Sequence, residues 1–198
     1  EEYPFSSQKN VSIREIWDNS LGEVAIGVAN RLRVTFYQSG AIKIEDNGRG
    51  IPTDLSTDAY GNKVSGIFKA LGLLQSGSAL KGIQKGKFTT SQNGVGGSST
   101  NGVSEWFKVR VFKNKKIYAL DFLDYVPGLF DDKGVFKPSK DNSEIYILKD
   151  NRPKEDKELF AHGSSVEFKL NDKWFIVPYP FDKDDIVARI RGAAYLYP

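Results

Sequence analysis

The sequence predicts an α+β fold, a two-layer sandwich in which helices cover one side of a mixed, mostly antiparallel sheet. Three observations support this prediction. Apolar residues recur at helical spacing in residues 11–29, short stretches alternate apolar and polar residues as strands do, and a second helical pattern closes the chain at residues 182–195. With 198 residues, the chain suits one domain spanning residues 1–198.

The first predicted helix presents two different faces. Its apolar stripe consists of Ile13, Trp17, Val24 and Val28. Glu15, Asn19 and Glu23 stand one turn apart on the roughly opposite face. The helix should therefore bury one side and offer a column of polar groups on the other.

The strand patterns predict two hairpins followed by later strands. The predicted strands are residues 31–37, 41–45, 106–112, 116–122, 144–148 and 164–170. The first hairpin turns at Gln38-Ser39-Gly40 and ends at Asp46, and the second turns around Asn114. Asp182 is the expected N-cap of the closing helix.

Two long segments separate these elements. Residues 53–97 are rich in glycine, serine and lysine, which predicts a mobile lid with one helical pattern from Val64 to Leu74. A further helix is predicted to start within residues 98–104. Residues 124–162 are charged and interrupted by prolines, and we interpret them as a surface insertion.

Composition excludes several classes of function. The chain has no cysteine and one histidine, His162, which argues against disulfides, thiol catalysis and histidine- or cysteine-based metal centres. No stretch approaches the roughly 18 apolar residues of a membrane span, so no membrane partner is expected. The net charge is +3, and Lys113, Lys115 and Lys116 fit a solvated hairpin tip. Because the chain lacks methionine, we expect it to be a fragment of a longer protein.

Asp46 opens the block Asp46-Asn47-Gly48-Arg49-Gly50-Ile51-Pro52 at the end of a predicted strand. A buried carboxylate needs a hydrogen-bond donor, and the exocyclic amine of adenine would supply one. The glycines allow a tight turn and close approach of a ligand. An Asp-Asn-Gly sequence is also typical of a simple turn, and that alternative stays open.

Two further sequence patterns would suit the binding of a nucleoside triphosphate. Asn19 offers a neutral oxygen to Mg²⁺, and Glu15 could polarise a water beside a terminal phosphate, although both would also suit a solvated helix face. The run Asn93-Gly94-Val95-Gly96 offers bare backbone amides to phosphates, with a flexible loop as the alternative. It is neither a Walker A loop nor a dinucleotide fingerprint.

In their order along the chain, the blocks at residues 15–20, 46–52 and 93–96 resemble the Bergerat-type GHKL ATPase domain. The continuation Arg49-Gly50-Ile51-Pro52 is similar, more narrowly, to the ATPase subunit of type IIA DNA topoisomerases, the group of gyrase B, its topoisomerase IV counterpart and phage relatives. Residues 162–168 resemble a later strand of that family, and residues 190–198 resemble its closing helix.

The resemblance implies a role for each matching residue and implies ATP and Mg²⁺ as cofactors. Glu15 matches the general base and Asn19 the magnesium ligand. Asp46 matches the carboxylate that binds adenine, and Ser164 stands in place of the threonine that supports it.

The remaining matches outline the pocket. Gly50 lines the base site, and Arg49 and Pro52 form its outer wall with Ile51 between them. The family's arginine pairs with an acidic residue at the position of Glu23. The residues that match the loop around the phosphates are Asn93, Gly94, Val95 and Gly96.

In that family, ATP hydrolysis closes a protein dimer around DNA and drives strand passage. The resemblance therefore implies a cytoplasmic, nucleoid-associated enzyme. Its partners would be DNA (mainly through domains outside this chain), a second copy in an ATP-dependent homodimer, and a cleavage subunit or domain. The alternatives are another GHKL clamp, chaperone-like or mismatch-repair-like, and a binding module that has lost catalysis.

Several positions depart from the family pattern. Gly22 precedes Glu23 where the family has an acidic residue, Thr90-Ser91 replaces a glycine pair, and Lys113 stands where many bacterial members have arginine. The family's N-terminal arm and its transducer lysine are not found in this sequence. We therefore expect nucleotide binding by this chain more readily than turnover.

Overall fold

The computed structural model of the protein describes residues 7–73, 96–175 and 182–197. Its helices are α1 (Ser7–Ala25), α2 (Gly66–Leu71), α3 (Gly96–Gly102), α4 (Lys154–Leu159) and α5 (Lys183–Leu196). Its strands are β1 (Leu32–Phe36), β2 (Ile42–Asp46), β3 (Leu55–Thr57), β4 (Lys63–Ser65), β5 (Ser104–Lys113), β6 (Lys116–Leu123), β7 (Val126–Phe130), β8 (Phe136–Pro138), β9 (Tyr146–Leu148) and β10 (Gly163–Leu170). None of the described helices is long and apolar enough to cross a bilayer.

Eight of the described strands form one sheet in the order β1-β2-β10-β5-β6-β7-β8, with β9 also paired to β6. β7 pairs with the last residues of β6 and β9 with its first, so both lie along the same edge. Every described pairing is antiparallel, and β3 and β4 form a separate hairpin. The predicted α+β architecture is confirmed, with helices α1, α2 and α5 packed on one face of an antiparallel sheet.

The main core lies between the sheet and helices α1, α2 and α5. The helices contribute Ile13, Ile16, Trp17, Ile67, Phe68, Leu71 and Ile186. Phe107 of β5 contacts Phe122 and Phe168 on the strands that flank it, with ring centroids 6.3 and 5.6 Å apart. Full burial of such a side chain stabilises the fold by about 1.5–3 kcal/mol. The apolar stripe therefore fixes α1 on the sheet and leaves its polar column for other contacts.

Helix α1 occupies a different range from the predicted residues 11–29. It begins at Ser7 and ends at Ala25. Gly27 adopts a left-handed φ of 73°, and the N–H of Val28 bonds to the carbonyl of Glu23 in the turn that ends the helix. Val28, predicted to lie on the apolar stripe, is instead 42% exposed and outside the helix.

The two predicted hairpins are present. β1 pairs with β2 so that Leu32 faces Asp46, and β5 pairs with β6 around Asn114 and Lys115. Both turn residues have left-handed φ angles, 54° and 58°, as a two-residue hairpin turn requires. Within residues 53–97, α2 lies inside the predicted helical pattern, and residues 74–95 fall outside the described part of the chain.

Residues 124–162 contribute strands to the main sheet. β7 follows β6 after a turn at Asp124 and Tyr125, and β9 lies within the strand predicted at 144–148. After α4, Phe160 packs on Phe112 and Ile117, on the sheet face away from α1. This segment, interpreted from sequence as a surface insertion, therefore extends the sheet and covers part of its second face.

A groove of about 360 Å³ lies on that second face of the sheet. Its charged lining residues are Lys43, Glu45, Lys108, Arg110, Lys149, Arg152 and Glu167. Glu45 is buried and accepts contacts from Lys43 at 2.9 Å and Arg33 at 2.7 Å. Arg110 pairs with Asp121, and Arg152 pairs with Asp150 at 2.8 Å. Four of its seven charged side chains are thus paired locally, namely Lys43, Glu45, Arg110 and Arg152.

Candidate functional site

Helix α1 carries its polar side chains past the end of β2. Glu15 faces the start of α3, Ser20 reaches Asp46, and Glu23 contacts the loop after Asp46. Glu15 and Glu23 are eight positions apart, which is about 12 Å along the helix axis. This row joins a glycine-rich backbone at one end to a buried carboxylate and its loop at the other.

Asp46 is the buried carboxylate, with 3% of its surface exposed. The hydroxyls of Ser20 and Ser164 donate hydrogen bonds of 2.9 and 2.8 Å to its Oδ2. The N–H of Gly48 donates a 2.9 Å bond to its Oδ1. Because an ionised carboxylate has about four acceptor positions, one position on Oδ1 remains for a further donor.

Burial raises the pKa of Asp46 above its usual range, because desolvation disfavours the charged form. The hydrogen bonds from Gly48, Ser164 and Ser20 favour the charged form and oppose this shift. A buried carboxylate with a raised pKa and an acceptor position left over is a candidate ligand-binding group. The arrangement favours a neutral ligand that presents an N–H.

The loop after Asp46 is held by an ion pair between Arg49 and Glu23. Arg49 donates from Nε at 3.0 Å and from Nη2 at 2.6 Å to the two carboxylate oxygens, and its backbone N–H donates at 3.0 Å. Although burial raises the pKa of Glu23, these bonds outweigh it and leave that pKa lowered. Since the Arg49 side chain is 56% exposed, the pair mainly orients the loop rather than stabilising the fold.

Gly50 and His162 bring the same loop against the start of β10. Gly50 has a left-handed φ of 75°, and a Cβ there would lie 2.9 Å from both the carbonyl oxygen of Gly163 and Val111 Cγ1. Nδ1 of His162 lies 2.8 Å from the carbonyl oxygen of Gly48. Glycine is therefore required at position 50 by both its φ angle and its close packing.

The start of α3 lies against the carboxylate of Glu15. A Cβ at Gly96 would overlap Oε2 of Glu15, so a backbone without a side chain is needed there. A Cβ at Gly97 would lie 2.6 Å from Leu71 Cδ2 and 3.7 Å from Nδ2 of Asn19. Glu15, Asn19 and the first turn of α3 thus meet in one place.

Asn19 offers one neutral side-chain oxygen that could hold a hard cation. Asn19 is exposed, one turn along α1 from Glu15. Among the described residues, no group of three or more His, Cys, Asp or Glu side chains could hold a metal. A hard ion that binds one protein oxygen, phosphate oxygens and water needs no such group.

The structure gathers most of the predicted site residues. Ile51 packs against the main core, Pro52 is exposed beside it, and Gly96 lies at Glu15. The remaining predicted phosphate-loop residues, Asn93, Gly94 and Val95, lie outside the described residues.

Two topoisomerase subunits match nearly the whole chain in sequence. It is 29% identical over 186 residues to the B subunit of DNA gyrase from Thermotoga maritima and 31% identical over 186 residues to the B subunit of DNA topoisomerase 4 from Staphylococcus aureus. These matches cover 94% and 93% of this chain. The chain is a GHKL domain of the type IIA topoisomerase family.

Solved structures agree with this assignment, although no family model matches the chain. The 43K ATPase domain of Thermus thermophilus gyrase B aligns with a TM-score of 0.66 at 27% identity, covering 94% of this GHKL domain and 40% of that chain. The topoisomerase IV ATP-binding domain of Francisella tularensis shares the fold, with a TM-score of 0.59 at 24% identity over 92% of this chain and 72% of that one. The GHKL domain spans about a quarter of the length of its curated relatives, 25% and 24%.

Sequence reasoning missed Ser20 and His162 as parts of the GHKL site. Ser20 lies four residues after Ile16 on the buried side of α1, and a polar residue at such a position signals a buried partner. His162 lies in the strand motif at residues 162–168, which indicates no contact with the loop after Asp46. Its contact with Gly48 joins residues 114 positions apart, so no local sequence pattern predicts it.

Proposed function

We propose that this chain is the ATP-binding and ATP-hydrolysing domain of a type IIA DNA topoisomerase. One observation carries the proposal: polar side chains of α1 extend from the Asp46 pocket to the place where Glu15 lies against Gly96. A nucleoside triphosphate laid along this row would have its base at one end and its terminal phosphate at the other.

At the base end, Asp46 would accept a hydrogen bond from the exocyclic amine of adenine. Ser20, Ser164 and Gly48 fix the orientation of its two oxygens and leave one acceptor position on Oδ1. A base with a carbonyl in place of the amine would place its oxygen, an acceptor, against Oδ1 of Asp46, which is also an acceptor. Both groups would then be buried without a hydrogen bond, at a cost of about 1–3 kcal/mol. The pocket would therefore select adenine over hypoxanthine or guanine.

At the phosphate end, Glu15 would orient and polarise the attacking water as the general base. Asn19 would hold Mg²⁺, which when bound neutralises charge on the phosphate oxygens. The backbone of Gly96, with Asn93, Gly94 and Val95, would lie along the phosphates. Arg49, Gly50, Ile51 and Pro52 would enclose the base, held by the pair between Arg49 and Glu23.

In the whole protein, ATP binding would close a homodimer, and hydrolysis would drive DNA strand passage together with a cleavage subunit or domain. This part of the proposal rests on the relatives, which are a gyrase subunit and a topoisomerase subunit. Such an enzyme would act at the nucleoid. A GHKL clamp of the chaperone or mismatch-repair type is not favoured, because the matched relatives are topoisomerases.

Calorimetry on the 198-residue chain tests the nucleotide site directly. A non-hydrolysable ATP analogue with Mg²⁺ should bind, and the matching inosine nucleotide should bind about 5- to 150-fold more weakly. Equal affinity for the two nucleotides would show that Asp46 does not recognise the base. Absence of binding by either would overturn the proposal.

A second experiment tests the activity of the whole protein. The full-length protein with its cleavage subunit should relax or decatenate DNA only when ATP is present. Catalysis of DNA strand passage that is indifferent to ATP would contradict the proposed coupling.

A further inference from the structure

Helix α3 has an unusual composition for a buried helix. Its sequence is Gly-Gly-Ser-Ser-Thr-Asn-Gly, without an apolar side chain, yet Gly97, Ser98, Thr100 and Asn101 are buried. Buried helices are ordinarily held in place by an apolar face. The position of α3 must instead depend on hydrogen bonds and on close backbone packing.

Asn101 ties α3 to the end of α2. Its side chain is 1% exposed, and its Nδ2 donates a 2.9 Å hydrogen bond to the carbonyl of Leu71. Leu71 is the last residue of α2, where carbonyls have no partner within the helix. The Asn101 amide therefore caps α2 from the side and sets the distance between the two helices.

Thr100 ties the same helix to α1. Its hydroxyl lies 2.9 Å from the carbonyl oxygen of Ser12 and 3.0 Å from that of Gly96, and it can donate to either. Ser12 lies one turn before Glu15. The contact thus fixes α3 against the stretch of α1 that carries the carboxylate facing Gly96.

We infer that Asn101 and Thr100 are positioning residues for the phosphate end of the proposed nucleotide site. They hold the backbone of Gly96 against Glu15 through buried bonds to α2 and α1. The Asp46 pocket is held by other residues, namely Ser20, Ser164 and Gly48. Loss of either bond should therefore affect the phosphate end alone. This inference rests on the proposed function.

The test compares two ligands, adenosine and a non-hydrolysable ATP analogue with Mg²⁺, on the 198-residue chain. The variants are Asn101→Leu, which removes the donor at similar volume, and Thr100→Val, which is nearly isosteric. Each should weaken binding of the analogue by about tenfold to a hundredfold, because a displaced Gly96 backbone would lose a hydrogen bond to a charged phosphate oxygen. Each should change the affinity for adenosine by less than about twofold. Ser99→Ala, at an exposed position on the same helix, is the matched control and should change neither.

Each outcome decides the inference. If Thr100→Val selectively weakens binding of the ATP analogue, the inference is supported even if Asn101→Leu fails to fold. Equal loss of both ligands, or unchanged affinity for both in folded variants, overturns it while leaving the proposed function intact. If the unaltered chain binds neither ligand, the proposed function fails, and this inference fails with it.

Discussion

The hydroxyl of Ser20 donates a 2.9 Å hydrogen bond to Asp46 and thereby joins helix α1 to the end of β2. Ser164 donates to the same oxygen from β10, the strand next to β2. One carboxylate oxygen is therefore held from both layers of the sandwich. The orientation of the base pocket depends on the packing of α1 against the sheet.

Ser20→Ala should weaken adenine nucleotide binding by about 0.5–1.5 kcal/mol, the usual net value of one hydrogen bond. Ser164→Thr keeps a hydroxyl at the other donor position and should leave the affinity unchanged. Titration calorimetry with an ATP analogue measures both. An unchanged affinity in Ser20→Ala would mean that Ser164 and Gly48 suffice to orient Asp46.

Asp46→Asn should raise the stability of the fold at neutral pH while it lowers the affinity for adenine nucleotides. Since burial raises the pKa of Asp46 in the folded state, its charged form is a cost to the fold at neutral pH, and stability rises as pH falls towards the unfolded-state pKa. The variant should thus unfold with a higher free energy than the parent at neutral pH. Urea unfolding from neutral to acid pH should show this advantage shrinking as the pH falls through the raised pKa.

The same Asp46→Asn variant should lose adenine nucleotide affinity, because the acceptor position on Oδ1 is no longer charged and the new amide can present a donor instead. A variant that gains stability and keeps its affinity would contradict the assigned role. The comparison with Ser164→Thr, which retains the carboxylate, controls for general disturbance of the pocket.

Glu15→Gln should abolish most ATP turnover by the full-length protein and preserve nucleotide binding. General base catalysis contributes about 10²–10⁴-fold, so a loss in that range is expected in kcat. A steady-state ATPase assay gives kcat, and binding of the ATP analogue gives the affinity. Normal turnover by Glu15→Gln would show that another group activates the water.

Gly96→Ala should lower turnover. The new methyl group would overlap Oε2 of Glu15 and lie 2.9 Å from its Cβ, so the Glu15 side chain must leave its position. We expect kcat to fall by about tenfold to a hundredfold. Gly192→Ala is the matched control, because a Cβ there meets nothing within 4 Å and should only stabilise α5, by about 0.5–1 kcal/mol.

Arg110→Leu should destabilise the fold through the sheet face away from the site. Its partner Asp121 is fully buried and also accepts a 3.0 Å bond from the N–H of Phe130. Removing one member of a buried pair costs about 3–5 kcal/mol, and the partial exposure of Arg110 places the expected loss near the lower value. Lys154→Ala, which breaks the exposed pair with Glu158, should give no measurable change in urea unfolding.

The sequence predicted the parts of the fold that have strong local signals. The α1 pattern, the Asn114 turn and the Asp182 cap all rest on residues close in sequence, and Asp182 accepts bonds from the N–H groups of residues 184 and 185. The turn into β7 was missed because it uses Asp124 and Tyr125 at φ angles of 45° and 71°. Non-glycine residues seldom adopt such angles, so no turn signal is visible there.

In the candidate site, too, the residues with local sequence signals were predicted and those with distant partners were not. Asp46 and Arg49 lie in one recognisable block, and Glu23 lies on the predicted polar face of α1. The implied pair between Arg49 and Glu23 is present in the structure. Ser20 and His162 act through partners that are distant in sequence. The closeness of Gly96 to Glu15 depends on buried bonds from Thr100 and Asn101, which folding alone brings together.

The polar composition of α3 has a thermodynamic consequence. Exposure of hydrocarbon to water raises the heat capacity, whereas exposure of polar groups lowers it. Separation of α3 from α1 and α2 would uncover its own hydroxyls, amides and backbone together with apolar atoms of Ile16 and Leu71. These two kinds of surface change the heat capacity in opposite directions, so the heat-capacity signature would be small. Warming could then disable the phosphate end of the site below the calorimetric melting temperature, and a melting curve alone would overstate the temperature range in which this domain works.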